Sequence, residues 1–322
     1  MTRGASLRLG VCALALVVLS GCKSLAEKRE EASYAPTESV IEVVAVLRRH
    51  VPDDTYRFPP GSDYSGRNVY RASLLRLENL SKLHAGSLQA GHLDEVIYFS
   101  KARALERLRA YDLAAQHFGQ ARKSDVLRNH ANRGAHLNAA IASALRIGLP
   151  LADPMGPDTM LPIDSDAVVA GLDERVSKFT ALLRNAPPPP YPAILREEIE
   201  RADVTRARYF ASMRHALPDG NLRAVAEWQR VIARHGPSKL RRRHMIEAAN
   251  LYAEFAREYV IAKPAESLSF DPPMFRELVD GATHLYEAVA HQDGTPEKLE
   301  AARRLEAFLA FTLQVDGDRF TR

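Results

Sequence analysis

The chain opens on one continuous apolar stretch, Leu9 to Leu19, and beyond it apolar residues recur at helical spacing. Val40, Val43, Val44 and Leu47 fall at i, i+3, i+4 and i+7, one face of a 3.6-residue helix. Pro36-Thr37-Glu38-Ser39 precedes them, Ser39 and Glu42 are spaced as a capping box, and Pro52 ends the run. The β-branched residues would also suit a strand, but the period favours helix. The same periodicity predicts helices at about 67–86, 92–108, 111–124, 129–147, 165–185, 193–217, 221–235, 238–261, 273–291 and 297–314. Asp164 and Asp166 read as caps of the helix that follows them, and Thr295 as a cap with Pro296 at the first helical position. No segment is a convincing strand. The expectation is an all-α protein of about ten helices in antiparallel pairs.

Three breaks interrupt the helical pattern. Residues 51–66 (VPDDTYRFPPGSDYSG) form either a functional loop or a linker whose Tyr56, Phe58 and Tyr64 plug the first helix pair. Residues 148–163 carry four prolines. The aspartates at 153, 158, 164 and 166 do not make an EF-hand, because Val168, Val169 and Arg175 stand where the third ligand, the glycine and the glutamate belong. Ala186 to Pro192 reads as a polyproline II spacer. Its Pro188–Tyr191 spells the PPPY form bound by WW modules, and a stiff linker is the reading preferred here. These breaks leave an N-terminal segment at 1–21, a charged stretch at 22–35, a helical region at 36–148, a Pro-rich loop at 149–164 and a second helical region at 165–322.

Within Tyr98–Ala121 the order of large and small residues is informative. Tyr98, Ala102 and Leu105, then Tyr111, Ala114, Phe118 and Ala121, resemble the tetratricopeptide (TPR) signature. The small residues let two helices approach, Tyr111 fills the turn and Phe118 packs onward. Arg109 stands where a turn glycine is common in that family, and Val126 where a closing proline is expected. Ala224, Trp228 and Val231, with Pro237 closing, are a looser echo. The resemblance implies a helical-repeat array, the alternative being a generic helical domain whose Ala and aromatic positions are simply core.

The N-terminus carries an address. Arg3 and Arg8 precede the apolar stretch, which suits a secretory signal and is too short to span a bilayer. It ends in Leu19-Ser20-Gly21-Cys22, which resembles the lipobox of bacterial lipoproteins. That resemblance implies cleavage before Cys22, diacylglycerol on its sulfur and a further acyl chain on its amine, enough for stable anchoring. Lys23 in place of Asp implies, by the Gram-negative sorting rule, the outer membrane and a periplasm-facing body. Lys23 to Ala35 lacks an apolar face and reads as a tether reaching about 40 Å when extended.

Composition narrows the chemistry. Cys12 and Cys22 are the only cysteines, so the body beyond them has no disulfide, thiolate zinc site or thiol nucleophile. The net charge of +4 falls to +2 once Arg3 and Arg8 leave with the signal, which argues against a nucleic-acid partner. No GxSxG, SxxK, HExxH or phosphate loop occurs in the body beyond the lipobox. His284 and His291 lie two helical turns apart and His130 and His136 diverge around their helix, so no metal is expected. Glu197, Glu198 and Glu200 are interleaved with Arg196 and Arg201 and read as a solvated charged face rather than a carboxylate pair for glycoside cleavage. Lys239, Arg241, Arg242 and Arg243, followed by His244, are a candidate anion patch, although a solvated helix start explains them more simply.

The function these features imply is that of a lipid-anchored envelope adaptor. It would bind a protein or peptide through a helical-repeat groove, with no catalysis and no cofactor beyond the lipid on Cys22. Tyr98, Lys101, Leu105 and Asn132 are the candidate groove residues, chosen from first-of-pair helices. One alternative is a cell-wall enzyme similar to the lytic transglycosylases, which would need a catalytic glutamate motif not found here. Another is an accessory lipoprotein with an internal pocket for a small ligand.

Overall fold

A computed structural model describes residues 36–51, 68–91, 93–148 and 164–320. The signal, lipobox and tether, most of the 51–66 loop and nearly all of 148–163 lie outside the described residues. Among the described residues the protein is all-α, with twelve helices and no strand. Two compact units divide the chain, residues 1–135 and 136–322.

Unit 1 contains α1 (Pro36–His50), α2 (Val69–Leu83), α3 (Ala85–Ala90), α4 (Asp94–Arg107) and α5 (Tyr111–Gln120), with the single 3-10 turn Ala121–Lys123 after α5. The boundary between the two units falls inside α6 (Arg128–Leu145), between Ala135 and His136. α1 begins at Pro36, so Ser39 lies inside the helix and is buried instead of capping it. Asn68 caps α2, its Oδ1 accepting from the backbone N–H groups of Tyr70 and Arg71, both at 3.1 Å. The Tyr70 hydroxyl donates to the His50 carbonyl at 2.9 Å and ties α2 to the end of α1.

α4 is the central helix of this unit and packs against α1, α2 and α5. Val40, Val43 and Leu47 of α1 join Leu77 and Leu80 of α2 and Ile97 of α4 in one core. A second cluster gathers Ala102 of α4, Phe118 of α5 and Ala121, Ala131 and Ala135. Tyr111, Ala114 and Leu105 are also buried, as close packing of α4 on α5 requires. Arg109, in the turn between them, has φ +64°, the left-handed conformation in which glycine is unstrained. Gly134 lets the Phe118 ring rest on the α6 backbone, since an added Cβ would stand 2.8 Å from that ring.

Unit 2 contains α7 (Ser165–Arg184), α8 (Tyr191–Met213), α9 (Gly220–Arg234), α10 (Arg241–Ala262), α11 (Pro272–Ala290) and α12 (Pro296–Phe320). Each of these helices packs against the next, as in a helical repeat array. Asp164 caps α7 as expected, accepting from the N–H groups of Asp166 at 3.1 Å and Ala167 at 3.0 Å. Pro296 opens α12, while the Thr295 hydroxyl donates to the Gln292 carbonyl. The 186–192 stretch is not an extended spacer: residues 189 and 190 form a turn, and Tyr191 is buried as the first residue of α8.

Candidate functional site

Two clusters of polar side chains stand apart from the apolar cores, one in each unit. In unit 1 the spacing of Tyr98 and Lys101 puts both on one face of α4. Tyr98 is half-buried and its ring stacks on His117 of α5, with centroids 6.0 Å apart and planes 22° from parallel. Lys101 is only 8% exposed. No hydrogen bond or ion pair reaches its ammonium among the described residues, although Glu78 and Lys82 of α2 act on it electrostatically. Burial pushes the Lys101 amine below its ordinary value of 10.5, Glu78 opposes that shift and Lys82 adds to it.

His117 is lowered too, first by burial and further by Lys101, while its 2.9 Å hydrogen bond to Gln120 and the charge of Glu78 oppose the shift. The cluster reaches solvent where Lys82 and Gln120 are exposed. Of the other candidate groove residues, Leu105 is buried and acts in packing, and Asn132 is half-buried on α6.

Unit 2 holds a buried ionic network. Glu198 and Glu200 of α8 are 1% and 7% exposed, which overturns their reading as part of a solvated face, while Glu197 is half-buried; Asp203, one turn on, is 2% exposed. The reason lies on the neighbouring helix. Asp203 takes ion pairs from Arg230 at 3.2 Å and Arg234 at 3.1 Å and a hydrogen bond with His235 Nε2 at 2.8 Å. Arg206 of α8 bridges Asp173 of α7 at 3.0 Å and Glu227 of α9 at 2.7 Å, and Glu227 also holds Arg230 at 2.8 Å. Glu200 accepts from the Ser238 hydroxyl at 2.5 Å and from His244 Nε2 at 2.7 Å. An ionised carboxylate has no proton to give, so Nε2 is the protonated nitrogen of His244.

Burial alone would raise the Glu200 carboxyl. The hydrogen bonds from His244 and Ser238, with the charges of His244 and His235, outweigh it and hold the group below its ordinary value of 4.5. That direction is the reverse of what a general acid needs. Because the folded-state pKa is depressed, the stability Glu200 contributes is complete above about pH 4.5 and is lost as pH falls through the folded value. Urea unfolding at pH 7, 5, 4 and 3 is expected to show the wild type losing stability below pH 4.5 more steeply than Glu200→Gln. At pH 7 the variant is expected to be about 1–2 kcal/mol weaker, the amide still accepting one bond. Parallel curves would remove Glu200 from the acid response.

The anion patch is dispersed. α10 starts at Arg241, and of the four basic residues only Arg241 is exposed. Arg242 Nε donates to Gln292, and Arg243 pairs with Glu247 at 3.1 Å and Glu300 at 2.7 Å. Lys239 is half-buried and has a partner of its own. These side chains staple α10 to neighbouring segments and do not converge on one anion.

Among the described residues no group of three or more His, Asp or Glu side chains is placed to hold a metal, and no helix is long and apolar enough to cross a membrane. A scan against protein-family models, a search of curated proteins and a search of solved structures each find no match.

Proposed function

We propose that the protein is a lipid-anchored envelope adaptor that presents unit 1 to a protein or peptide partner and performs no chemistry of its own. Cys22 carries the lipid in this reading, Lys23 directs the chain to the outer membrane, and the body faces the periplasm. The lipobox supports the anchor, with its basic residues, apolar stretch and Leu19-Ser20-Gly21-Cys22 all in register. The observation that carries the binding role is the cluster of Tyr98, His117 and Lys101. The Lys101 stem is buried while its ammonium reaches solvent near the stacked pair, and no hydrogen bond or ion pair among the described residues holds it.

Site-specific photo-cross-linking in the full-length chain tests this directly. A photoreactive phenylalanine analogue in place of Tyr98 is expected to give a discrete adduct with one envelope protein. The same analogue at exposed Leu222 of α9 is expected to give none. With Cys22→Ala the chain should leave the membrane fraction and the adduct should fall. Equal labelling at both positions, or none at either, defeats the adaptor reading. A Cys22→Ala chain that stays with the membrane defeats the anchor.

A further inference from the structure

Helix α12 packs on α10 and α11, with Ala301, Phe308 and Val315 turned into the core of unit 2. A helix that no further helix covers normally carries a polar outer face. The outer face of α12 does not. Leu299, Leu309 and Leu313 are 65%, 39% and 71% exposed, and Ala302 and Ala310 are exposed between them. With Glu306 they recur at three- and four-residue steps and line one stripe about 21 Å long, on the side opposite Phe308. Single exposed leucines such as Leu222 are ordinary on a protein surface; a continuous stripe of them is not.

The stripe reads the same in both directions. Leu299 and Leu313 lie seven residues to either side of Glu306, and Ala302 and Ala310 lie four to either side. Its charges are also unspent. Arg304 is held by Glu300 at 2.9 Å, whereas Arg303 and Glu306, both exposed, take no ion pair or hydrogen bond among the described residues.

We propose that this face of α12 pairs with the same face of a second copy of the chain, antiparallel, about a two-fold axis at Glu306. The pairing concerns unit 2 alone and does not rest on the adaptor reading.

Two observations select a second copy. A two-fold contact needs a self-complementary patch, because a residue that meets another across the axis is met by it in return. Reversal about Glu306 sets Leu299 against the partner's Leu313 and Ala302 against the partner's Ala310, with the small residues letting the helices come close enough for the leucines to touch. Charge agrees with that arrangement. The two Glu306 carboxylates meet at the axis, and one Arg303 stands a turn away on each side, so four charges gather to zero. A parallel pair would instead set Arg303 against Arg303. One stripe is small beside the surface of a permanent dimer, so the pair is expected to dissociate in the micromolar range.

Cysteine cross-linking tests the pairing and its register. The full-length chain carries Cys12→Ala and Cys22→Ala, which makes an introduced cysteine its only thiol, and is held in detergent with micelles in excess over chains. Glu306→Cys is expected to oxidise to a disulfide-linked dimer. Leu299→Cys and Leu313→Cys should each stay monomeric alone and cross-link when mixed. Leu222→Cys, as exposed on α9 as Leu313 is on α12, should not cross-link. Sedimentation without oxidant should show a monomer–dimer equilibrium. Leu313→Glu should weaken it about tenfold or more while leaving the Trp228-monitored unfolding midpoint in place. Arg303→Glu should weaken it as well, and the double variant Arg303→Glu/Glu306→Arg should restore it.

A chain that stays monomeric through the micromolar range overturns the proposal, as does a dimer that Leu313→Glu leaves intact. Self-cross-linking of Leu299→Cys would show a parallel pair and overturn the antiparallel one. Flotation with phospholipid vesicles that Leu313→Glu abolishes, in a chain that forms no dimer, would give the stripe to a membrane surface instead.

Discussion

Asp203→Ala is expected to destabilise unit 2 by about 2–4 kcal/mol, among the largest effects of any single substitution in it. The carboxylate is almost fully buried and is shared by two arginines of α9 and by His235 just beyond it, so its removal leaves Arg230 and Arg234 facing each other without it and His235 without its acceptor. The loss stays below the extreme for buried pairs because Arg230 keeps Glu227 and Arg234 can turn to water. Arg234→Ala, which removes only the half-exposed member, should therefore cost under about 1 kcal/mol. Asp203→Asn should fall between, keeping the volume and one acceptor while losing the charge. Trp228 is the only tryptophan and is buried on α9, so its fluorescence reports the unfolding of unit 2. Denaturant midpoints read from Trp228 in these three variants check the order. If Arg234→Ala costs as much as Asp203→Ala, the shared carboxylate is not what joins α8 to α9.

That network also marks the limit of what the sequence discloses. Apolar periodicity locates nearly every helix, because burial on one face leaves a local trace: Val40, Val43 and Leu47 do meet α2, and Ala102, Ala114 and Phe118 do lie at the contact of α4 and α5. Arg109 was conspicuous for standing where a glycine is usual, and its φ is indeed positive. The acidic run of α8 misleads because alternating acids and bases look the same on a wet face as in a buried lattice. Its partners on other elements lie 27 to 44 residues away, beyond any local window. One signal was available. Glu198 falls in helical register with Tyr191, Leu195, Ala202 and Tyr209, all buried, so it belongs to the apolar stripe and not to the opposite face. Lys101 shows the same limit from the other side. Its face of α4 is readable, but its surroundings depend on where α2 and α5 place Glu78, Lys82 and His117.

Arg175→Leu is the second substitution expected to have a large effect, about 3–4 kcal/mol, although the replacement is apolar and of fitting size. Arg175 of α7 is completely buried and reaches back to the end of α6, its Nε donating to the Ile147 carbonyl at 2.9 Å and one Nη to the Leu145 carbonyl at 3.3 Å. The last carbonyls of a helix have no partner within it, and a cation there also meets the negative end of the helix dipole. Leucine would fill the space and leave both carbonyls dry. One turn earlier, Gly171 lies so close to Gly148 that a Cβ on it would stand 2.8 Å from the Gly148 Cα. Gly148 itself, at φ +71°, turns the chain out of α6. The glycine contact brings the α6 terminus within reach of the guanidinium fork, so the two features act as one joint. Arg175→Lys offers a single ammonium for two acceptors and should recover only part of the loss. Gly171→Ala should cost about 1–3 kcal/mol by forcing backbone apart. In the double variant Gly171→Ala/Arg175→Leu the losses should be less than additive, since the first change already draws the carbonyls away from the arginine. Full additivity in Trp228-monitored unfolding would show that the close glycine contact and the arginine act independently.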